Sequence, residues 1–254
     1  MSQTKSKIIG LIIFLIIIST LFFVAVMPVK QKVGKHVKSI NLSGNHLLPQ
    51  GSYLSFAKLN DTQNSIEITL PILKDRLEKH PFVSSAEVEI SEYNDAKVYV
   101  FEKSLTAIVI CDDQTFLLSD ELQLLPLFSN MKFIDLPIIN NPKQGRQYKA
   151  LEYLQSEEII EAYNILYAIK YSNEEMFKKL SEINLNRGDD ITLTFSEVRP
   201  IVKFGRGNVP RKVLSLNSIW VEIKDAGNDL SQSEYVDLRF TNQIYIGKGE
   251  ESEI

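Results

Sequence analysis

A chain of 254 residues with 28 Lys and Arg against 32 Asp and Glu has a formal net charge of −4, with the two signs interspersed, which argues against a nucleic-acid footprint. Its one cysteine, Cys111, rules out an intrachain disulfide, so an exported portion has to hold together by packing. The three histidines, His36, His46 and His80, are scattered without metal-ligand spacing, which makes a zinc site improbable.

The first element is an apolar run. No charged residue occurs from Ile8 to Met27, and residues 8–18 are almost wholly aliphatic. At 1.5 Å per residue a helix over this run reaches about 30 Å, enough to cross a bilayer core. A cleavable signal peptide needs a shorter apolar core and small residues at a cleavage site, and Phe22 to Pro28 offers no such site. The reading is a retained transmembrane helix over 8–27 behind a tail of residues 1–7. Lys5 and Lys7 precede it and Lys30, Lys32, Lys35 and Lys38 follow, so flanking charge leaves its orientation open.

Residues 28–36 are polar and basic without periodicity and read as a linker. Val37, Ile40 and Leu42 open a strand that Ser43-Gly44-Asn45 closes as a turn. Leu54, Phe56 and Leu59 predict a short helix. A longer one is predicted from Ile66 to His80, with Leu70, Leu73 and Leu77 on one face and Lys74, Arg76, Glu78 and Lys79 on the other, stopped by Pro81. Ala86, Val88 and Ile90 alternate with Glu87 and Glu89, a half-buried strand. After a turn at Tyr93-Asn94-Asp95, a third strand starts at Lys97 and runs on toward Ile110. The order β-α-α-β-β over residues 37–105 describes a compact α+β unit.

The remainder, 106–248, reads as β-rich with flanking helices, before a short tail over 249–254. Strands are predicted at Thr115 to Leu118, Phe133 to Ile139, Ile183 to Leu185, Ile191 to Phe195 and Ile201 to Phe204. Further strands are expected at Tyr235 to Phe240 and Gln243 to Ile246. Helices are predicted from Ser156, as N-cap, to Tyr171, and from Val209 to Val221.

Chemistry is sparse. Ser55-Phe56-Ala57-Lys58 matches the S-x-x-K string of penicillin-binding enzymes, but no S-D-N or K-T-G partner follows. Gly205-Arg206-Gly207-Asn208 lacks the Lys-Ser/Thr of a phosphate loop and reads as a strand-to-helix turn. Cys111 ends an apolar strand and reads as a buried thiol. With no coherent catalytic set, no cofactor and no small-molecule substrate are expected, and the chain reads as a binding module.

The order of several segments resembles the bacterial cell-division family FtsQ/DivIB. Val37 to Asn45 is similar to the opening strand of a POTRA domain. His80-Pro81-Phe82-Val83-Ser84-Ser85-Ala86-Glu87-Val88 and Val98 to Leu105 resemble its later strands, with Leu105 where proline is usual. Val202-Lys203-Phe204-Gly205-Arg206 and Tyr235-Val236-Asp237-Leu238-Arg239-Phe240 look like the two signatures of the second domain. The resemblance implies a short cytoplasmic tail, one span of the bacterial inner membrane, and POTRA and FtsQ-type domains outside the cytoplasm at the division septum. It also implies a non-catalytic scaffold that binds FtsB- and FtsL-type partners and regulates septal peptidoglycan synthesis. By position after the Asp-Leu-Arg motif, the implied partner-binding residues are Phe240, Asn242, Gln243, Ile244, Ile246 and Gly247, on an edge strand that accepts a strand from FtsB. A competing reading places Val236, Leu238 and Phe240 in the core, with Asn242-Gln243 as a hairpin turn and Asp237 with Arg239 as a structural ion pair. Two other functions stay open, a POTRA-type envelope assembly factor and an anchored serine hydrolase or transpeptidase using Ser55 and Lys58.

Overall fold

The computed structural model describes residues 3–26, 35–59, 66–112, 114–143, 147–225 and 227–247. The first helix, α1, is continuous over Gln3–Val26. Its described side chains, residues 12–23, are all exposed, and that stretch is shorter than a bilayer core. Among the described residues no helix is long and apolar enough to cross a membrane.

The next unit is mixed α+β. Strand β1 (Lys35–Val37) pairs antiparallel with β3 (Ile66–Ile68). Around this pair lie β2 (Ser39–Ser43), α2 (Gln50–Phe56), α3 (Leu70–Glu78), β4 (Val83–Ile90) and β5 (Asp95–Glu102). The three longer strands form a sheet in the order β2-β5-β4, with β2 parallel and β4 antiparallel to β5. Alternation along β5 sends Ala96, Val98 and Val100 inward and leaves Lys97, Tyr99 and Phe101 outside. Leu73 and Leu77 of α3 and Tyr53 of α2 close the core from the helical side.

Three expectations are corrected in this unit. Ile66–Ile68 is a strand, and helix α3 begins only at Leu70, with Thr69 at its N-cap and Pro71 in its first turn, where a missing N–H costs nothing. The linker stops short of residue 36, because Lys35 and His36 already belong to β1. The strand expected to run on toward Ile110 is two strands, β5 and β6 (Leu105–Cys111), which lie in different sheets and break at Lys103-Ser104.

The turn after β2 explains two sequence features together. Gly44 has φ +81°, and a Cβ there would stand 2.2 Å from the Val100 carbonyl oxygen, so only glycine lets the turn lie on β5. At the end of β5, the Glu102 carboxylate accepts hydrogen bonds from His46 N (2.8 Å) and Leu47 N (3.0 Å), and from the Tyr53 hydroxyl. Burial and this carboxylate hold the Tyr53 hydroxyl well above its ordinary pKa, so it stays a donor.

The second unit is a nine-stranded mixed sheet. In chain order it contains β6 (Leu105–Cys111), β7 (Gln114–Ser119), β8 (Leu124–Pro126), β9 (Ile138–Asn140), α4 (Glu157–Ser172), α5 (Glu174–Lys179) and β10 (Leu180–Asn184). Then come β11 (Thr192–Phe195), β12 (Ile201–Lys203), α6 (Val209–Lys224), β13 (Tyr235–Asp237) and β14 (Tyr245–Gly247). The strand order is β14-β13-β12-β11-β10-β9-β6-β7-β8. Helices α4 and α6 bury Ile159, Ala162, Ile165 and Ile169, and Val213, Leu216, Trp220 and Ile223, in the core of this sheet.

Several boundaries differ from expectation here. Ser156 takes the N-cap position of α4 but its side chain caps nothing. Phe133 to Leu136 is irregular, with Phe133 94% exposed, and the strand begins only after Pro137. Strand β8 and helix α5 are additions. The short helix α5 is fixed by Asn173, whose Oδ1 accepts from Met176 N at 3.0 Å.

The two units share a wall. Leu117 of β7 and Leu125 of β8 belong to the core of the first unit, and Lys132 N donates to Leu47 O at 3.0 Å across the join. His80 sits in this wall, 3% exposed, its ring centroid 4.4 Å from Tyr53, 4.8 Å from Phe56, 5.8 Å from Phe82 and 6.1 Å from Phe128. Its Nδ1 accepts from Phe82 N at 3.2 Å. Burial lowers its pKa from 6.5 to about 4. Between those values the unfolded chain binds a proton that the folded chain refuses, so stability falls as pH drops from 6.5 to about 4 and this contribution levels off below. The expected loss is on the order of 3 kcal/mol. Urea unfolding followed by the fluorescence of Trp220 checks it: His80→Asn, whose Oδ1 can replace Nδ1 as acceptor, should lack that part of the pH slope.

Candidate functional site

An open sheet has two edges, so the two larger sheets of this chain have four. Three are covered. On β4, Ala86 N donates to Glu78 Oε1 at 3.0 Å. On β2, Gln50 Nε2 donates to Ile40 O at 3.3 Å. Strand β8 ends in Pro126 and is closed by the backbone of residues 151–154, with Leu151 N to Leu124 O at 2.7 Å and Leu124 N to Glu152 O at 2.9 Å. Strand β14 pairs with β13 on one side, and among the described residues no strand lies on the other.

What positions β14 is the pair of segments singled out in the sequence. Strands β12 and β13 are parallel neighbours joined through α6, with Lys203 opposite Asp237, and Leu238 N donates to Lys203 O at 2.9 Å. Gly205, at φ +68°, lies under Arg239: a Cβ there would be 2.7 Å from Arg239 Cγ. Arg239 Nε and Nη2 donate to Asp237 Oδ1 (2.9 Å) and Oδ2 (2.6 Å), while Nη1 reaches Asp190 Oδ2 at 2.9 Å. The fork geometry matches a carboxylate edge on, which lysine could not reproduce. The expected structural ion pair of Asp237 with Arg239 is therefore present. Arg206 makes a second clamp, donating to Asp189 O (2.9 Å), Leu185 O (3.1 Å) and Glu161 Oε2 (3.1 Å). Lys212, 8% exposed, donates from Nζ to Arg206 O at 2.8 Å, and burial lowers its pKa.

Beyond Arg239 the chain turns at Asn242, with φ 68°, into β14. Asn242 and Gln243 are exposed in this turn, and Ile244, Ile246 and Gly247 are half-buried, with Ile244 and Ile246 leaning on the core of the nine-stranded sheet. Phe240 departs from the alternation that would bury it. It is 52% exposed, because regular pairing stops at Asp237 and Leu238 alone continues inward. Strand β14 starts at Tyr245, two residues later than expected.

Tyr245 was not among the expected site residues. Its exposed ring meets Phe240 edge to face with centroids 4.7 Å apart, and its hydroxyl donates to Gln243 Oε1 at 2.7 Å. An aromatic residue alternating with Ile244 and Ile246 was the available signal. Gly247 has a packing role as well: a Cβ there would fall 2.1 Å from the Tyr235 ring, over which the Lys203 ammonium sits 3.6 Å from the centroid. Between the hairpin and the first turns of α6 lies a cavity of about 170 Å³ lined by Arg211, Leu238, Phe240 and Ile244 among others. The six expected residues thus fall on one hairpin and its edge.

A family model described as cell division protein FtsQ/DivIB, C-terminal, matches residues 107–239, more than half of the chain. The chain belongs to the FtsQ/DivIB family. Its role lies accordingly in cell division, within a family of non-catalytic division scaffolds. No curated protein matches the chain. The matched stretch covers both clamping segments and ends at Arg239, just before the hairpin.

The other candidate chemistry lies elsewhere. Ser55 and Lys58 are both exposed at the end of α2, where Lys58 adopts φ 56° and ends the helix. Cys111 is buried, and burial, then Asp112 and Glu158, push its thiol up to about 12, which removes the thiolate a nucleophile needs. Among the described residues no group of three His, Cys, Asp or Glu could hold a metal ion.

The Asp237 carboxyl is held below the usual carboxylate range, first by its hydrogen bonds to Arg239. Its contribution is present above the unfolded carboxylate pKa, about 4, and is lost as pH falls through the lower folded value. Replacing it by Asn leaves the buried position without charge, and Asp237→Asn is expected to cost roughly 1–3 kcal/mol. Thermal unfolding at pH 7 should show the corresponding fall in Tm of several degrees, narrowing below pH 4.

Proposed function

We propose that this member of the FtsQ/DivIB family is a bitopic divisome scaffold whose β14 edge receives a strand from an FtsB-type partner in complex with an FtsL-type one. In this reading residues 37–105 are a POTRA domain, residues 106–248 the FtsQ-type domain, and the scaffold links early and late division proteins and regulates septal peptidoglycan synthesis. The observation that carries it is the state of the edges: among the described residues three carry hydrogen bonds from neighbouring segments on their outer side, whereas β14 has no strand on its outer side. A partner strand there would meet free backbone donors and acceptors, while Phe240, Tyr245 and the cavity beside α6 would select its side chains. An exposed aromatic pair at the rim of an edge is the kind of anchor on which such interfaces depend.

The same reading assigns α1 to the inner membrane, with the N-terminus cytoplasmic and the rest outside. What supports it is the sequence run from Ile8 to Met27, without a charged residue, which as a helix reaches about 30 Å, the thickness of a bilayer core. Protease added to spheroplasts should degrade everything after the span and leave the N-terminal tail protected. An intact chain under those conditions would place the domain in the cytoplasm and end this assignment.

For the edge, Ile244→Pro removes an N–H and bends the strand entry without touching the Arg239 clamp. Capture of a co-expressed FtsB/FtsL-type complex should fall at least about tenfold, an interaction loss of roughly 1.4 kcal/mol or more. Trp220 fluorescence should report an unchanged core. Undiminished capture by that folded variant rules out strand addition.

A further inference from the structure

The cavity between the hairpin and the first turns of α6 has a volume of about 170 Å³. That is below the roughly 300–1,000 Å³ of small-molecule sites, so it suits a single side chain. Its apolar wall is formed by buried Leu238 with Phe240 and Ile244. Its charged wall is Arg211 and Lys212, at consecutive positions of α6, and no aspartate or glutamate lines it.

The charges around this cavity are answered within the chain, with one exception. Arg239, 6.0 Å from the Phe240 ring centroid, is held by Asp237 and Asp190, and Arg206 is held by Glu161. Lys212 donates to the Arg206 carbonyl, and Glu161, Asp190 and Asp237 lie near enough to favour its charged form. Arg211 is exposed, and among the described residues no ion pair or hydrogen bond engages its guanidinium. The first turn of α6 holds no acidic residue. The group that would complete the cavity is therefore a carboxylate. An arginine fork takes a carboxylate edge on, and the pairing strengthens beside an apolar wall that excludes water.

We propose that the strand received at β14 carries an aspartate or glutamate whose side chain enters this cavity and pairs with Arg211. The inference rests on the edge-strand reading and adds to it the residue that selects the partner. Ile244 lines the cavity and immediately precedes β14, so a strand laid along that edge reaches the cavity at one end. A segment with lysine or arginine in place of the acid would set like charges together, so Arg211 also rejects wrong partners.

The test is capture of a co-expressed FtsB/FtsL-type complex by the full chain in a non-ionic detergent. Arg211→Glu should lower capture about tenfold or more, and Arg211→Lys, which keeps the charge but loses the fork, should retain part of it. A glutamate in the first turn of a helix is itself favourable, so Arg211→Glu keeps α6. Lys38→Glu makes the same change of charge on an exposed residue of the first unit and should leave capture unchanged. Replacing each Asp and Glu of the FtsB-type chain by Lys in turn should restore capture by Arg211→Glu at one position. Undiminished capture by Arg211→Glu, an equal loss with Lys38→Glu, or no restoring position overturns the proposal. Ile244→Pro separates the two readings. If it loses capture while Arg211→Glu does not, strand addition stands and the acidic side chain falls; if Ile244→Pro captures fully, both fall.

Discussion

The row of backbone donors and acceptors at a sheet edge is the constraint around which this molecule is arranged. A buried or partly buried peptide group without a partner costs as much as several good contacts contribute, so each edge is either satisfied or used. This chain satisfies edges by three different means: a glutamate side chain from a neighbouring helix, a glutamine amide, and a returning stretch of backbone. Among the described residues none of these devices reaches β14. Its open side is also short, three residues, which limits indiscriminate pairing and leaves selection to the flanking side chains.

An open edge is useful only if it is held still. Strand β14 pairs with β13, and β13 is fixed at its far end by the Arg239 fork on Asp237 and Asp190. That fork needs the bare Cα of Gly205 beneath it, and the Gly205 turn is in turn gripped by Arg206 and by buried Lys212. At the near end Gly247 lets the edge strand lie flat on Tyr235. Two glycines at opposite ends of one ladder thus set the separation of β12, β13 and β14. The exposed charges contribute little by themselves; the geometry comes from the bidentate pairing of Asp237, which is 3% exposed.

Much of this was legible because it follows from period. Alternation along β4 and β5 and the apolar faces of α3, α4 and α6 are visible in the sequence, and each of these elements is six or more residues long. Strands of three residues, such as β3, β8 and β14, are too short to show a period, so Ile66–Ile68 read as helix and Leu124–Pro126 as nothing. The segments around Gly205 and Arg239 were marked as signatures, yet nothing in them announces that one glycine lies under the other's arginine. Strand order is a property of the whole sheet, and only that order shows that β14 lies at the end of the nine-stranded sheet. The same holds for Phe240, whose parity in the sequence points inward although the ladder ends three residues before it.

The join between the two units bears on how far a signal at β14 can travel. Leu117 and Leu125 complete the first unit's core from strands that belong to the second unit, and His80 stacks between Phe82 of one and Phe128 of the other. Packed cores of this kind are not continuously deformable, so a hinge at Lys103-Ser104 would have to expose apolar side chains from both units. Both units therefore move together, and the β14 edge keeps a fixed position relative to the β2-β5-β4 sheet of the first unit, because the cores that join them cannot slide without exposing apolar side chains.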